Sequence, residues 1–230
     1  MLGMLALFRS TIGQKVLMGT TGLMLVGFVV IHMIGNLLIF SHPGEDGVHP
    51  LDAYGHFLQH GTHGLIWVAR LGLLGAVGVH IWAAVSLTRK NLKARGGRYA
   101  GGRKNAATTY AARTMRYGGM IIFLFIIYHL LHLTFGKLDG AGHGAFEYGE
   151  VYANVVTSFS QPVVAGVYIV AMAALALHLY HGIWSGLYTL GLSHPQYDTA
   201  RRLLAAAVAV GVGIGNCSIP IAVLAGVIHL

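Results

Sequence analysis

Val16-Leu17-Met18-Gly19-Thr20-Thr21-Gly22-Leu23-Met24-Leu25-Val26-Gly27-Phe28-Val29-Val30-Ile31-His32-Met33-Ile34-Gly35-Asn36-Leu37-Leu38-Ile39-Phe40 contains no charged residue and a single histidine. An α-helix needs about 20 consecutive apolar residues to cross the hydrocarbon core of a bilayer, and this run exceeds that. Four further stretches qualify, at Leu65–Leu87, Tyr117–Phe135, Val163–Leu190 and Leu203–Ile228. Pro162 stands just before the fourth, where the first turn of a helix tolerates proline. Composition agrees: 55% of the 230 residues are hydrophobic, 10% are charged, and mean hydropathy is +0.66. A soluble domain carries about 25% charged residues, so this chain cannot cover a soluble surface. The expected fold is an all-α membrane protein, one transmembrane domain over residues 1–230 with five spans.

Between the spans lie a polar, His-rich loop (Ser41–Gly64), a basic loop (Thr88–Arg116), a Gly/acid loop (Gly136–Gln161) and a short turn at His194-Pro195. The net charge of +8 is the charge bias of membrane loops rather than a nucleic-acid footprint. With the N-terminus in the cytoplasm, the inner segments hold Arg9, Lys15, Arg89, Lys90, Lys93, Arg95, Arg98, Arg103, Lys104, Arg113, Arg116, Arg201 and Arg202. Only Arg70 and Lys137 fall outside. Lys and Arg accumulate in cytoplasmic loops, so a cytoplasmic N-terminus is predicted. Six of the seven acids (Glu45, Asp46, Asp52, Asp139, Glu147, Glu150) then lie outside. The start, MLGMLALFRSTIGQK, places its apolar run before its charges, the reverse of a signal peptide, and predicts uncleaved insertion. The single cysteine, Cys217, excludes a disulfide framework, a Cys-based zinc site and a protein-bound iron–sulfur cluster. The 33 glycines suit close helix packing in lipid, and no internal repeat is evident.

Fourteen histidines are many for so few charges. His42, His49, His56, His60, His63, His143 and His194 are loop residues, and His229 ends the fifth span. His32, His80, His129, His132, His178 and His181 lie within spans, where an ionisable residue marks a functional site by default. At 1.5 Å rise per residue, His32 is roughly 12 Å and His129 roughly 9 Å from the outer ends of their helices. His80 and His178 are each roughly 23 Å from theirs, near the cytoplasmic side. Two levels, each with two histidines on different helices, match two stacked bis-histidine haems. Zinc wants three or four ligands at one level, and no Asp or Glu inside a span could complete such a set. Two axial imidazoles close the iron's coordination sphere, so such a haem transfers electrons and does not activate oxygen. His129/His132 and His178/His181 are i, i+3 pairs on one helix face. One member of each pair is the expected ligand; His132 and His181 are expected to bond a backbone carbonyl, a propionate or a quinone instead.

Three signatures carry a resemblance. The first joins Ser10-Thr11-Ile12-Gly13-Gln14-Lys15, Thr21-Gly22 and His32-Met33-Ile34-Gly35-Asn36-Leu37. The second is Ala112-Arg113-Thr114-Met115-Arg116-Tyr117-Gly118-Gly119 with Tyr128-His129. The third is His178-Leu179-Tyr180-His181-Gly182-Ile183-Trp184-Ser185-Gly186, followed by Thr189-Leu190-Gly191 and His194-Pro195. In order and together they resemble the dihaem cytochrome b membrane anchor of succinate dehydrogenases and fumarate reductases (succinate:quinone oxidoreductases) of the single five-helix type. The resemblance implies four haem-bearing helices and two haems b, with His32 and His129 as axial ligands of the outer haem and His80 and His178 of the inner. It implies a flavoprotein subunit with FAD and an iron–sulfur subunit on the cytoplasmic face of a bacterial inner membrane, and a quinone, menaquinone or ubiquinone, as substrate. The dicarboxylate chemistry would belong to those partners.

Candidates for haem propionates are Lys15, Arg70, Arg113, His132 and His181. Candidates for a quinone are Ser10, Lys15 and Arg113 on the inner side and Tyr54, His60 and Arg70 on the outer. Trp67, Trp82 and Trp184 read as packing or belt residues. Some dihaem fumarate reductases carry glutamates in or near the membrane for proton return; this sequence has none within its spans, so that proton path is not expected. Two other readings stay open. One is the cytochrome b anchor of another quinone-linked complex, a hydrogenase or formate dehydrogenase. The other is a haem-free transporter using its histidines as relays.

Overall fold

A computed structural model of the chain describes residues 8–45, 47–94, 110–138 and 146–230, with backbone only for 110–113. Asp46, Arg95, Arg98, Arg103, Lys104, Asp139 and His143, and the side chain of Arg113, lie outside the described residues. The described chain is helical, with no strand. Helix α1 (Thr11–Asn36) ends in a 3-10 turn, Leu37–Phe40; α2 (Pro50–His56) runs into a π turn, Phe57–Gly61; α3 spans Leu65–Ala94. Helix α4 (Tyr110–His129) ends in a π turn, Leu130–Thr134, followed by α5 (Val151–Phe159) and α6 (Pro162–Thr189). After a 3-10 turn at Pro195–Tyr197, α7 (Asp198–Leu224) closes the fold. The long helices α1, α3, α4, α6 and α7 are long and apolar enough to cross a membrane.

These helices start where local chemistry favours it. Ser10 caps α1, its Oγ accepting from Gly13 N at 2.9 Å, which satisfies one of the orphan amides of a first turn. Pro162 opens α6 after the extended Gln161, where its missing N–H costs nothing. Four helices extend further toward the basic face than hydropathy indicates: α1 from Thr11, α3 to Ala94, α4 from Tyr110 and α7 from Asp198. Hydropathy ends at the first charges, whereas the i→i−4 ladder continues through polar residues at the membrane surface.

Two segments read as loops contain helices. Within 41–64, His49 caps α2 by accepting Leu51 N on Nδ1 at 3.1 Å, with Pro50 at the first position. Within 136–161, α5 carries Val156 and Phe159 inward. Both helices pack beneath the bundle's far face, where Leu51, Val156 and Phe159 join Ile39, Tyr168 and Ile219 in one apolar cluster. Runs this short cannot register as spans, and their helical state depends on that tertiary burial.

Among the described residues, α3 packs on α1, α1 on α6, and α6 on both α4 and α7. The seam of α6, α7 and α1 is built from small residues: Ala205 is 0% exposed, and a Cβ at Gly215 would run into Met33. Small residues let helix backbones approach closely in lipid. No extensive packing joins α1 to α4, or α3 to α6 or to α4. Apolar side chains such as Leu71, Val163, Val170 and Leu203 remain exposed around the bundle, a surface that suits hydrocarbon and not water.

Candidate functional site

The four span histidines of the two expected levels meet across the helix pairs that do not pack directly. Nearer the basic face, His80 of α3 and His178 of α6 have ring centroids 6.3 Å apart at an interplanar angle of 67°. Nearer the far face, His32 of α1 and His129 of α4 lie 5.9 Å apart at 83°. A metal–imidazole bond of about 2.0–2.1 Å on each side, plus the half-widths of two rings, puts the centroids of a trans pair about 6 Å apart. Both separations suit two axial imidazoles of one iron.

The ring nitrogens test that fit. His80 Nδ1 lies 3.0 Å from the Met18 carbonyl and 3.4 Å from Thr21 Oγ1. An Nδ1–H held by a carbonyl is the usual support of a metal-binding histidine and leaves Nε2 as the coordinating atom. Opposite it, His178 Nδ1 is buried with no hydrogen-bond partner among the described residues. On the far level, His129 Nδ1 is 3.3 Å from the Tyr168 hydroxyl, again leaving Nε2. His32 differs: its Nε2 sits 3.1 Å from Asn36 Nδ2, so coordination through that atom requires Asn36 to move. Two of the four rings, His80 and His129, therefore have Nδ1 engaged and Nε2 left for a metal, His178 has its Nδ1 unpartnered, and His32 would fit after one amide rotates away.

Glycine makes room for the basic-side pair. A Cβ at Gly22 of α1 would sit 3.1 Å from His80 Cε1, closer than ordinary contact, whereas one at Gly119 of α4 would sit 3.5 Å from His178 Cε1. Beside His178 a cavity of about 180 Å³ opens between α4 and α6, bordered by Met115, Gly118, Ile121 and Leu177. A wider recess of about 450 Å³ flanks the basic end of α3, lined by Trp82, Ser86, Arg89 and Lys90.

The remaining candidates are scattered. Ser10 is engaged as a helix cap and Lys15 is exposed. Arg70 lies over the Trp67 ring at 4.8 Å. The Tyr54 ring packs so tightly on Gly35 that a Cβ there would collide with it. His60 lies against His56, ring centroids 4.5 Å apart and tilted by 36°. His132 is buried, with Nδ1 3.0 Å from the Tyr168 hydroxyl. His181 lies 5.7 Å from the Trp184 ring, its Nδ1 buried with no hydrogen-bond partner among the described residues. Among the described residues, Ser10, Lys15, Tyr54, His60 and Arg70 show no hydrogen bond or ring contact with one another; the Arg113 side chain lies outside them.

Sequence reasoning missed Tyr168, the residue most closely tied to the far-side pair. A signal existed: Tyr168 precedes His178 by ten residues on one helix, about 15 Å of rise, which places it near the level of His129. Asn36 also went unassigned, although it stands one turn from His32. Compared with protein-family models, curated proteins and solved structures, the chain matches none.

Proposed function

We propose that this chain is the dihaem cytochrome b anchor of a succinate:quinone oxidoreductase, carrying electrons between an iron–sulfur subunit and a membrane quinone. The observation that supports it most is the pairing of His32 with His129 and of His80 with His178, each across helices that do not pack extensively on one another. His32 with His129, and His80 with His178, would each hold a haem b, which would supply reversible one-electron transfer there. The protein's own residues supply the rest. Met18 and Tyr168 hold the Nδ1 atoms of His80 and His129, which leaves Nε2 of each ring for iron. Apolar neighbours such as Phe28 and Phe125, stacked on His32 and His129 at 5.4 and 5.8 Å, exclude water from the far-side site.

The choice of succinate or fumarate as the partner chemistry rests on the three sequence signatures. In this reading the N-terminus is cytoplasmic, so the basic face meets the flavoprotein and iron–sulfur subunits, and His80 and His178 are the inner pair. Arg89, Lys90 and Arg116 supply that face with positive charge, whereas Arg201 is buried and both it and Arg202 pair with Asp198; the charge also suits anionic headgroups of the inner leaflet. The test is purification from membranes of the native host with a pyridine haemochrome assay. Two low-spin b haems per chain, with a flavoprotein and an iron–sulfur protein co-purifying, are expected. The isolated chain should show no dye-linked succinate oxidation, and the detached partners should reduce dyes but not quinone until recombined with it. One haem or none per chain overturns the reading, and partners other than a flavoprotein point to the anchor of another quinone-linked complex.

A further inference from the structure

The Tyr168 hydroxyl is placed between His129, the last residue of α4, and His132 of the π turn that follows, 3.3 Å from His129 Nδ1 and 3.0 Å from His132 Nδ1. The tyrosine comes from α6 and is buried, walled by Phe159 at 4.8 Å and Phe125 at 5.0 Å between ring centroids. A phenol has one hydrogen to donate and lone pairs to accept with, so it cannot donate to both rings. Once His129 binds iron through Nε2, its Nδ1 keeps a hydrogen and can only donate. The phenol oxygen then accepts from His129, and its own hydrogen is left to donate to His132 Nδ1 when that nitrogen carries none.

We propose that Tyr168 and His132 form a relay, His129 Nδ1–H to Tyr168 O–H to His132 Nδ1, which tunes the reduction potential of the far-side haem. This rests on the dihaem reading above. His132 withdraws the phenol hydrogen, which makes the phenol oxygen a better acceptor; the stronger hydrogen bond on Nδ1 gives the His129 ring more imidazolate character. A more basic axial ligand favours ferric over ferrous iron and so lowers the potential. His80 has no such chain: its Nδ1 meets a backbone carbonyl and the Thr21 hydroxyl. Tyr168 and His132 are thus positioning and tuning residues for the far-side haem alone.

The experiment is a spectroelectrochemical titration of the purified complex, with haem content and low-spin electron paramagnetic resonance signals measured alongside. Tyr168→Phe keeps the ring and removes the hydroxyl. It should retain two haems per chain, raise the potential of the far-side haem, shift that haem's resonance and leave the other haem unmoved. His132→Ala should raise the same potential by less, and the double variant should match Tyr168→Phe, because His132 acts through the phenol. If Tyr168→Phe sheds the far-side haem, His132→Ala decides: a shift confined to that haem supports the relay, and no shift overturns it. Two haems with unmoved potentials in Tyr168→Phe overturn the relay alone and leave Tyr168 as core packing. A wild-type chain without haem overturns the dihaem reading and the relay with it.

Discussion

The two histidine levels are built differently. Nearer the basic face, His80 is held by the carbonyl of Met18 from a neighbouring helix, and Gly22 beside it supplies the space. Nearer the far face, both rings are held by side chains: Asn36 for His32, and Tyr168, itself shared with His132, for His129. A backbone carbonyl survives any substitution of its residue short of a backbone shift, so the first level depends on helix packing. A side-chain partner can be removed one atom at a time, so the second level is adjustable. The first site is therefore expected to be robust in electronics but sensitive to crowding, and the second the converse.

The largest effect expected is loss of a haem. His80→Ala or His178→Ala should remove only the basic-side haem, and His32→Ala or His129→Ala only the far-side one, read as a halved haemochrome yield. His132→Ala and His181→Ala should keep both. A His181→Ala variant that lost the basic-side haem while His178→Ala kept it would move the ligand by one turn.

Crowding comes next. Gly22→Leu should displace His80 and deplete the basic-side haem, because even a Cβ there comes within 3.1 Å of the ring. Gly119→Ala, with its Cβ at ordinary contact distance from His178, should leave haem content unchanged. Equal tolerance at both positions, measured as haem per chain, would remove the asymmetry claimed for the packing of that level.

Gly35→Ala probes the far-side cap rather than a ligand. Its methyl would collide with Tyr54, so α2 must shift from its seat; overpacking of this kind costs about 1–3 kcal/mol. Thermal unfolding should report a lower transition, with both haems still present in the folded fraction. An unchanged transition would mean that α2 contributes little to the far face.

Asn36→Ala should have the smallest effect on haem content. The Asn36 amide contacts the nitrogen that iron would take, so its removal should leave the far-side haem at full occupancy. A far-side haem lost from this variant would show that Asn36 supports His32 in some other way.

Much of the architecture was legible in advance because it is local. Hydropathy alone identifies five helices that can span, since a helix in hydrocarbon needs only its own backbone bonds and an apolar surface. The depth of each histidine follows from helix rise and distance to the helix end. The helices α2 and α5 were illegible because seven and nine residues do not hold a helix by themselves. They exist where Leu51, Val156 and Phe159 find a common apolar cluster. Tyr168 was legible in depth but not in direction, since one turn of rotation decides whether it faces lipid, α4 or α7.

By itself, then, the sequence determined an all-helical chain with five apolar helices, a charge imbalance between its loops, and two depths at which histidines interrupt the apolar runs. Those properties depend on residue type and on rise per residue, which no neighbour alters. Only the tertiary structure decided that α1 and α4, and α3 and α6, do not pack extensively on one another while their histidines meet, and which atoms hold His32, His80 and His129. Helix rotation and helix–helix distance are set by contacts between residues far apart in sequence, by Ala205 and Gly215 at the α7 seam and by Gly22 beside His80. Small side chains let backbones approach, and that approach leaves room or closes it a few ångströms away.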